Sequence, residues 1–437
     1  MSPVEIGLVS VGAIVVLIYL GVYIPVALAG VSFVTIWIVS ERPILAVNFL
    51  RQAVGDSVTE YEFATIPLFT FMGLLVSKAG MGTDVYAVTN QAFRRIRGGI
   101  GMATVGANAL FAAVTGSSIA SASVFTRVSV PEMLKLDYNP RFAVGVVAGS
   151  SVLGMIIPPS AMLIIYAFVA EVSVGDMFIA GIVPGLLLAV AYIIAIFIMA
   201  ALTPAFVGGR IADPGEEPEL SRGEVIALIL PLLSLIVLVL GGIYTGWLTP
   251  VEAGAAGCLG AFVIAVLKRR MTLAGFWSAL LETGHITAAI LFLITAASFY
   301  SRMLGFVDLP NALQDFLTAQ TLDFFWIMVA YVLLMLFLGT LLDTASIILI
   351  VVPLFIDIIE PMGLSLIWFG IITVIGAEIG LLTPPLGISC FVIKSTLNDD
   401  RISLKDVFLG ALPFAVVMLM VLIVLIRFPV LSTGLLG

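Results

Sequence analysis

Apolar runs of roughly 18 residues or more, each long enough to cross about 30 Å of hydrocarbon, recur from end to end of this 437-residue chain. No other feature narrows the fold so far. Within lipid every backbone N–H and C=O must find its partner inside the protein, and long continuous apolar runs do so as helices. The chain is therefore read as an all-α polytopic membrane protein. Its 61% hydrophobic and 11% charged residues, with a mean hydropathy of +1.23, agree. The formal net charge of -8 sits in loops and argues against a nucleic-acid partner. Cys258 and Cys390 lie far apart in apolar segments, which predicts core residues rather than a disulfide or a metal framework.

The position of charge along the chain predicts the topology. Residues 1–99 hold a first span from Val4 to Leu20, a turn at Gly21–Pro25, a second run from Val26 to Val39, an interfacial segment over 41–62 and a short span from Ala64 to Val76. No Lys or Arg precedes the first run and no small-residue cleavage pattern follows it, so it is expected to be retained. The basic stretch Arg94-Arg95-Ile96-Arg97 places the next loop in the cytoplasm. The run 100–125 then ends at a loop carrying Arg127, Lys135 and Arg141. Both flanks are basic, so the run enters and leaves on one side. That predicts a re-entrant hairpin with Gly116-Ser117-Ser118 at its tip, against the alternative of one helix whose small residues serve packing.

The segment 142–168 is expected to cross but to break at Pro158-Pro159, where two backbone donors are missing. A span over 178–202 closes the first repeat core, 100–202, and the polar linker 203–223 divides the chain. The second half opens with 224–300, two spans joined by an outer turn and ending at Lys268-Arg269-Arg270, and a third leading out past Arg302 to a loop with Asp308, Asp315 and Asp323. The second repeat core, 324–426, holds a hairpin over 324–356 with Gly339-Thr340 and Asp343-Thr344 at its tip, a helix over 364–392 broken at Pro384-Pro385, and a last span over 407–426. The acidic flanks of this hairpin predict that it enters from the outside.

The two halves share an order of parts and a spacing. Gly154 stands four positions before Pro158 and Gly380 four before Pro384, while Asp176-Met177-Phe178 ahead of Pro184 is echoed by Asp406-Val407-Phe408 ahead of Pro413. Flanking charge is reversed between them. This predicts two inverted-topology repeats of the kind from which secondary transporters build a site at the bilayer midplane.

The hydroxyls of Ser117, Ser118, Thr340, Thr344 and Thr383, with carbonyls freed at the tips and breaks, are hard oxygen ligands of the type a small cation selects. Half-helix N-termini beside them would hold a carboxylate without a buried Arg. The competing reading is that these hydroxyls simply cap broken helices. Asp343 is the sharpest candidate, because an ionisable group deep in an apolar run is costly. Glu378, two residues before Gly380, invites either a ligand role or a structural hydrogen bond. Glu252 reads as a helix N-terminal carboxylate, and His285 as structural.

The runs Gly116-Ser117-Ser118-Ile119-Ala120, Val130-Pro131-Glu132-Met133, Leu153-Gly154-Met155-Ile156-Ile157-Pro158-Pro159-Ser160 and Phe178 to Gly185, with Asp343-Thr344, Pro353 and Leu382-Thr383-Pro384-Pro385, resemble the large membrane subunit of tripartite ATP-independent periplasmic (TRAP) transporters. The chain departs from the pattern at Asp137-Tyr138, where the family usually has Gly-Tyr. The resemblance implies an ion-transporter-superfamily elevator fold in a bacterial or archaeal cytoplasmic membrane. It implies import of an organic anion, a carboxylate or a sialic acid, coupled to sodium and without a further cofactor. It also implies two partners, a small four-helix membrane subunit and a periplasmic substrate-binding protein. Carried over residue by residue, the sodium and substrate region falls on Gly116, Ser117, Ser118, Pro158, Pro159, Ser160, Gly339, Thr340, Asp343, Thr344, Thr383, Pro384 and Pro385. The rival readings are a symporter that works without a binding protein, a solute channel, or an intramembrane hydrolase built on Asp343 and Glu378. The hydrolase lacks any protease-like motif.

Overall fold

The computed structural model describes residues 2–211, 219–319, 324–384, 387–397, 399 and 401–436. Its regular elements among these residues are all helical. The first are α1 (Pro3–Tyr19), α2 (Ile24–Ser40), α3 (Pro43–Thr59), α4 (Thr65–Lys78) and α5 (Met81–Phe93). Next come α6 (Gly99–Thr115), α7 (Ser118–Lys135), α8 (Pro140–Ser151), α9 (Leu153–Ile156), α10 (Ala161–Val169), α11 (Val174–Leu202) and the short α12 (Pro204–Val207). The second half holds α13 (Arg222–Ile236), continued through a π turn into α14 (Gly242–Tyr244), then α15 (Pro250–Leu267), α16 (Leu273–Phe306) and α17 (Leu309–Ala319). It ends with α18 (Phe324–Gly339), α19 (Thr344–Ile359), α20 (Leu366–Leu381), α21 (Ile388–Leu397), α22 (Leu404–Arg427) and α23 (Val430–Thr433).

Among the described residues five helices are long and apolar enough to cross a membrane, and two bent pairs raise that to seven. Their outer faces are apolar too. Along α11, Leu186, Val190, Ile194 and Phe197 form an exposed stripe while Leu188, Tyr192 and Ile196 point into the core. In water such a stripe would be a large exposed patch, whereas in lipid it is the expected surface. The chain is a multi-pass membrane protein.

Two groups of helices emerge from the packing. In one, α4 lies against α15 and α16, and α16 against α2 and α3. Gly254 and Gly257 of α15 admit Leu68 and Met72 of α4 at distances that a Cβ would close. In the other, contacts between the halves are reciprocal. The second arm of the first hairpin, α7, packs on α21, and its counterpart α19 packs on α10; likewise α8 packs on α22, and α20 on α11. The α8–α22 crossing is the tightest, since a Cβ on Gly145 would stand 2.1 Å from the Gly410 carbonyl oxygen. Only glycine lets two helix backbones approach so closely.

Several boundaries depart from the sequence reading. The second arm of the first hairpin does not end at Phe125: α7 runs on to Lys135 with Arg127, Pro131 and Glu132 inside it. A charge ends the apolar zone but not the helix, and the stop comes beyond it, where Asp137 adopts a positive φ of 59°. In the stretch expected as an acidic loop after Tyr300, α16 continues to Phe306 and α17 follows Asp308, while Asp323 lies outside the described residues. The interfacial segment is α3 plus a 3-10 turn at Tyr61–Ala64. Arg94–Gly99 is preceded by a further helix, α5, bent by 64° from the segment before it. Thr249 and Glu252 form a capping box at the start of α15, as expected of an N-terminal carboxylate.

Candidate functional site

The first tip is built by the backbone. Helix α6 ends at Gly116 with φ 58°, and Ser117 then caps α7, its Oγ accepting from the Ala120 N–H at 3.3 Å. Ser118 is buried behind it. The break beside the tip is made the same way. Helix α9 stops at Ile157, Pro158-Pro159 follow, and Ser160 caps α10 by accepting from the Leu163 N–H at 3.4 Å while donating to the Met155 carbonyl at 2.6 Å. The axes on the two sides of this break differ by 44°. Tip and break are in contact: a Cβ on Gly116 would lie 2.4 Å from the Pro159 carbonyl oxygen, and one on Gly154 2.8 Å from Ser117 backbone atoms. Behind them, Gly181 and Gly185 let α11 press on Ile156 and Ile157.

The second tip follows the same plan with different chemistry. Gly339 ends α18, and Asp343 caps α19, accepting from the Ser346 N–H at 3.3 Å and from its hydroxyl. Gly339 meets Gly380 of α20 so closely that a Cβ on Gly380 would lie 2.4 Å from the Gly339 Cα. Gly154 and Gly380 therefore do one job, seating a tip four residues before a proline pair. Thr344 donates to Glu378 Oε1 at 2.6 Å, and Glu378 is fully buried with its Oε2 unpartnered. Thr340 and Thr383 donate to the carbonyls of Phe337 and Gly380 at 2.8 and 2.7 Å, which leaves each hydroxyl oxygen able to accept. Pro384 is exposed at the second break, and Pro385 lies outside the described residues.

The two tips line separate cavities. Leu341, Leu342 and Asp343 border one of about 210 Å³, facing Ile18 and Ile24 at the α1–α2 turn. Gly116, Ser117, Ile119 and Ala120 border a larger one of about 480 Å³, closed by Pro159 and Met162 on one side and by α4 and α16 on the other. Its polar lining is Thr70, Ser77, Thr115, Ser117, Ser123 and Glu282. The first turns of α7 and α10 both border it. Their N–H groups lack intrahelical acceptors and carry the positive ends of two helix dipoles, so the cavity suits an anion although no Arg or Lys among the described residues lines it. The sequence reading missed Thr70, Ser77, Thr115, Ser123 and Glu282. Only Glu282 offered a signal, a carboxylate inside an apolar run like that of Asp343.

Residues 11–431 match the family described as "Tripartite ATP-independent periplasmic transporter, DctM component". A C4-dicarboxylate TRAP transporter large permease protein of Pseudomonas aeruginosa is 32% identical over 89% of this chain and 90% of its own length. The sialic acid TRAP transporter large permease protein of Vibrio cholerae is 28% identical over 88% of each. Among solved structures, the Alcanivorax borkumensis YdaH transporter superposes with a TM-score of 0.61 at 15% identity over 89% of this chain and 90% of its own. MtrF of Neisseria gonorrhoeae superposes with 0.60 at 14%, over 89% and 84%. These two show a shared fold alone. These two sequence relatives are named as transporter permeases rather than enzymes, which sets the hydrolase reading aside. The chain belongs to the large permease (DctM) family of TRAP transporters.

Proposed function

We propose that this chain is the translocating subunit of a sodium-coupled importer of an organic anion of the C4-dicarboxylate or sialic-acid type. It acts across the cytoplasmic membrane of a bacterium or archaeon, with a small membrane subunit and a periplasmic binding protein. The observation that carries the reading is the cavity of about 480 Å³ at the first tip, where two helix N-termini and a set of hydroxyls converge within an apolar protein. The names of the Pseudomonas and Vibrio relatives support the substrate class.

The reciprocal packing of α7 on α21 and α19 on α10 supports two inverted repeats, and it supports an elevator in which α6–α11 and α18–α22 move together against α1–α4 and α13–α16. Sodium is assigned to the oxygen-rich tips and breaks, Gly116 to Ser118 with Pro158 to Ser160, and Gly339 to Thr344 with Thr383 to Pro385. Glu378 supports the second tip through Thr344. The test is uptake of radiolabelled succinate or N-acetylneuraminate into proteoliposomes holding the complete transporter with its binding protein. Uptake should require a sodium gradient and vanish in Ser118→Ala or Asp343→Ala while the protein stays in the membrane. Equal uptake with potassium replacing sodium would sink the coupling. Cysteine labelling at Ser117 and at Thr340 should report access from opposite faces. Access from one face in every condition would refute the inversion.

A further inference from the structure

Among the described residues Glu282 is the only charged one lining the larger cavity, so a carboxylate stands in the wall of a space otherwise suited to an anion. An unneutralised carboxylate there would repel an anionic occupant strongly, since charges in a cleft with low-dielectric walls are poorly screened. The protein answers from the facing helix. Lys78, the last residue of α4, holds its Nζ 3.6 Å from Glu282 Oε2 and donates to Ser278 Oγ at 3.3 Å. Its position relative to the tip follows from helix geometry. Gly73 touches the Thr115 carbonyl beside the tip, and Lys78 lies five residues further along α4, about 7.5 Å of axial rise. The pair therefore stands on the α4–α16 side of the cavity, whose remaining lining includes the first turns of α7 and α10, and Lys78 is a flexible side chain within reach of a ligand held between them.

The pair is also easy to part. Its separation is longer than a hydrogen bond, and the two side chains are 30% and 49% exposed. Permanent structural pairs in this protein look different: Asp84, 5% exposed, receives Lys268 at 2.6 Å and Arg270 at 2.8 Å.

We propose that Lys78 and Glu282 are the charge filter of the anion cavity: Lys78 leaves Glu282 to contact the second polar end of the substrate, and Glu282 takes Lys78 back as the substrate departs. This rests on the reading that the cavity is the anion's path. It assigns Lys78 to affinity and Glu282 to release, and it favours substrates whose second end is itself anionic.

The test has one arm that needs no substrate. In a full-length chain with Cys258 and Cys390 replaced by Ala, Ser123→Cys places a thiol in the cavity wall, and its labelling rates with an anionic and a cationic methanethiosulfonate are compared in membranes. Lys78→Gln should lower the anionic-to-cationic rate ratio at least threefold, and Glu282→Gln should raise it at least threefold. An unchanged ratio in both variants overturns the filter. The second arm measures uptake of succinate and N-acetylneuraminate by the complete transporter. Lys78→Gln should raise KM about tenfold with kcat little changed, while Glu282→Gln should lower both KM and kcat. Shifted ratios with unmoved KM overturn the role in substrate binding. Shifted ratios in a transporter that accepts neither probe leave the filter standing and overturn the proposed substrate class.

Discussion

Replacing Gly116 by Ala isolates the seating of the first tip. Two costs follow from the geometry. The residue has φ 58°, and an L side chain there costs about 1–2 kcal/mol. The new Cβ would lie 2.4 Å from the Pro159 carbonyl oxygen, whereas contacts below 3.0 Å essentially never occur, so the tip and the break must separate by about 0.6 Å or more (3.0 minus 2.4). The obstacle is backbone on both sides, with no rotamer to give way, and forced overpacking of this kind costs about 1–3 kcal/mol. Together the two terms come to about 2–5 kcal/mol, and each 1.4 kcal/mol is tenfold in the population of the seated tip. Uptake should therefore fall tenfold or more, with the protein still inserted and monodisperse by fluorescence-detected size-exclusion chromatography. Gly106→Ala in α6 is the matched control, because its Cβ meets nothing closer than Thr89 Cγ2 at 3.6 Å. If Gly116→Ala retains uptake within twofold of wild type, the tip is not held by contact with Pro159 and the reasoning fails.

Thr344→Val removes the only hydrogen bond that the described residues make to the buried Glu378 carboxyl and should destabilise the protein by about 1–3 kcal/mol, read as a lowered thermal midpoint. Adding Glu378→Gln should recover part of the loss, and no recovery would mean that the charge is satisfied elsewhere. Asp343→Asn keeps an acceptor for the Ser346 N–H and should weaken sodium dependence with little effect on stability. Asp343→Ala should lose the cap as well, about 0.5–2 kcal/mol. Asp84→Asn leaves Lys268 and Arg270 without their buried partner and should lower the thermal midpoint while the KM for substrate stays fixed. Thr249→Ala should cost about 1 kcal/mol through the lost cap of α15 and leave uptake unchanged.

The elements of the candidate site were legible where residue type and backbone requirement coincide. Gly116, Ser117, Ser160 and Asp343 stand at helix ends because they are the residues that end and cap helices, and Pro158-Pro159 breaks a helix wherever it occurs. The end of α7 was not legible, because hydropathy marks where the apolar zone stops and a helix can outrun it. Helix α17 was missed because Asp315, between Asp308 and Asp323, reads as part of a loop although it sits on an exposed side of a short amphipathic helix. The wall of the larger cavity was not legible at all. Thr70, Ser77 and Glu282 come from α4 and α16, roughly 200 residues apart in the chain, and nothing local to either marks the other.

By itself the sequence determined a membrane protein of helices, with two tips and two breaks at matched spacing, because lipid leaves the backbone few options and glycine, serine and proline have narrow conformational uses. Only the tertiary structure decided what those parts touch. It placed Gly154 under one tip and Gly380 under the other, put the two tips on separate cavities, joined Thr344 to Glu378, and brought Lys78 to the carboxylate of Glu282. The physical reason is range: capping and breaking act over one helical turn and are written in neighbouring residues. Cavities and charge pairs arise from the packing of distant helices, which no local pattern records.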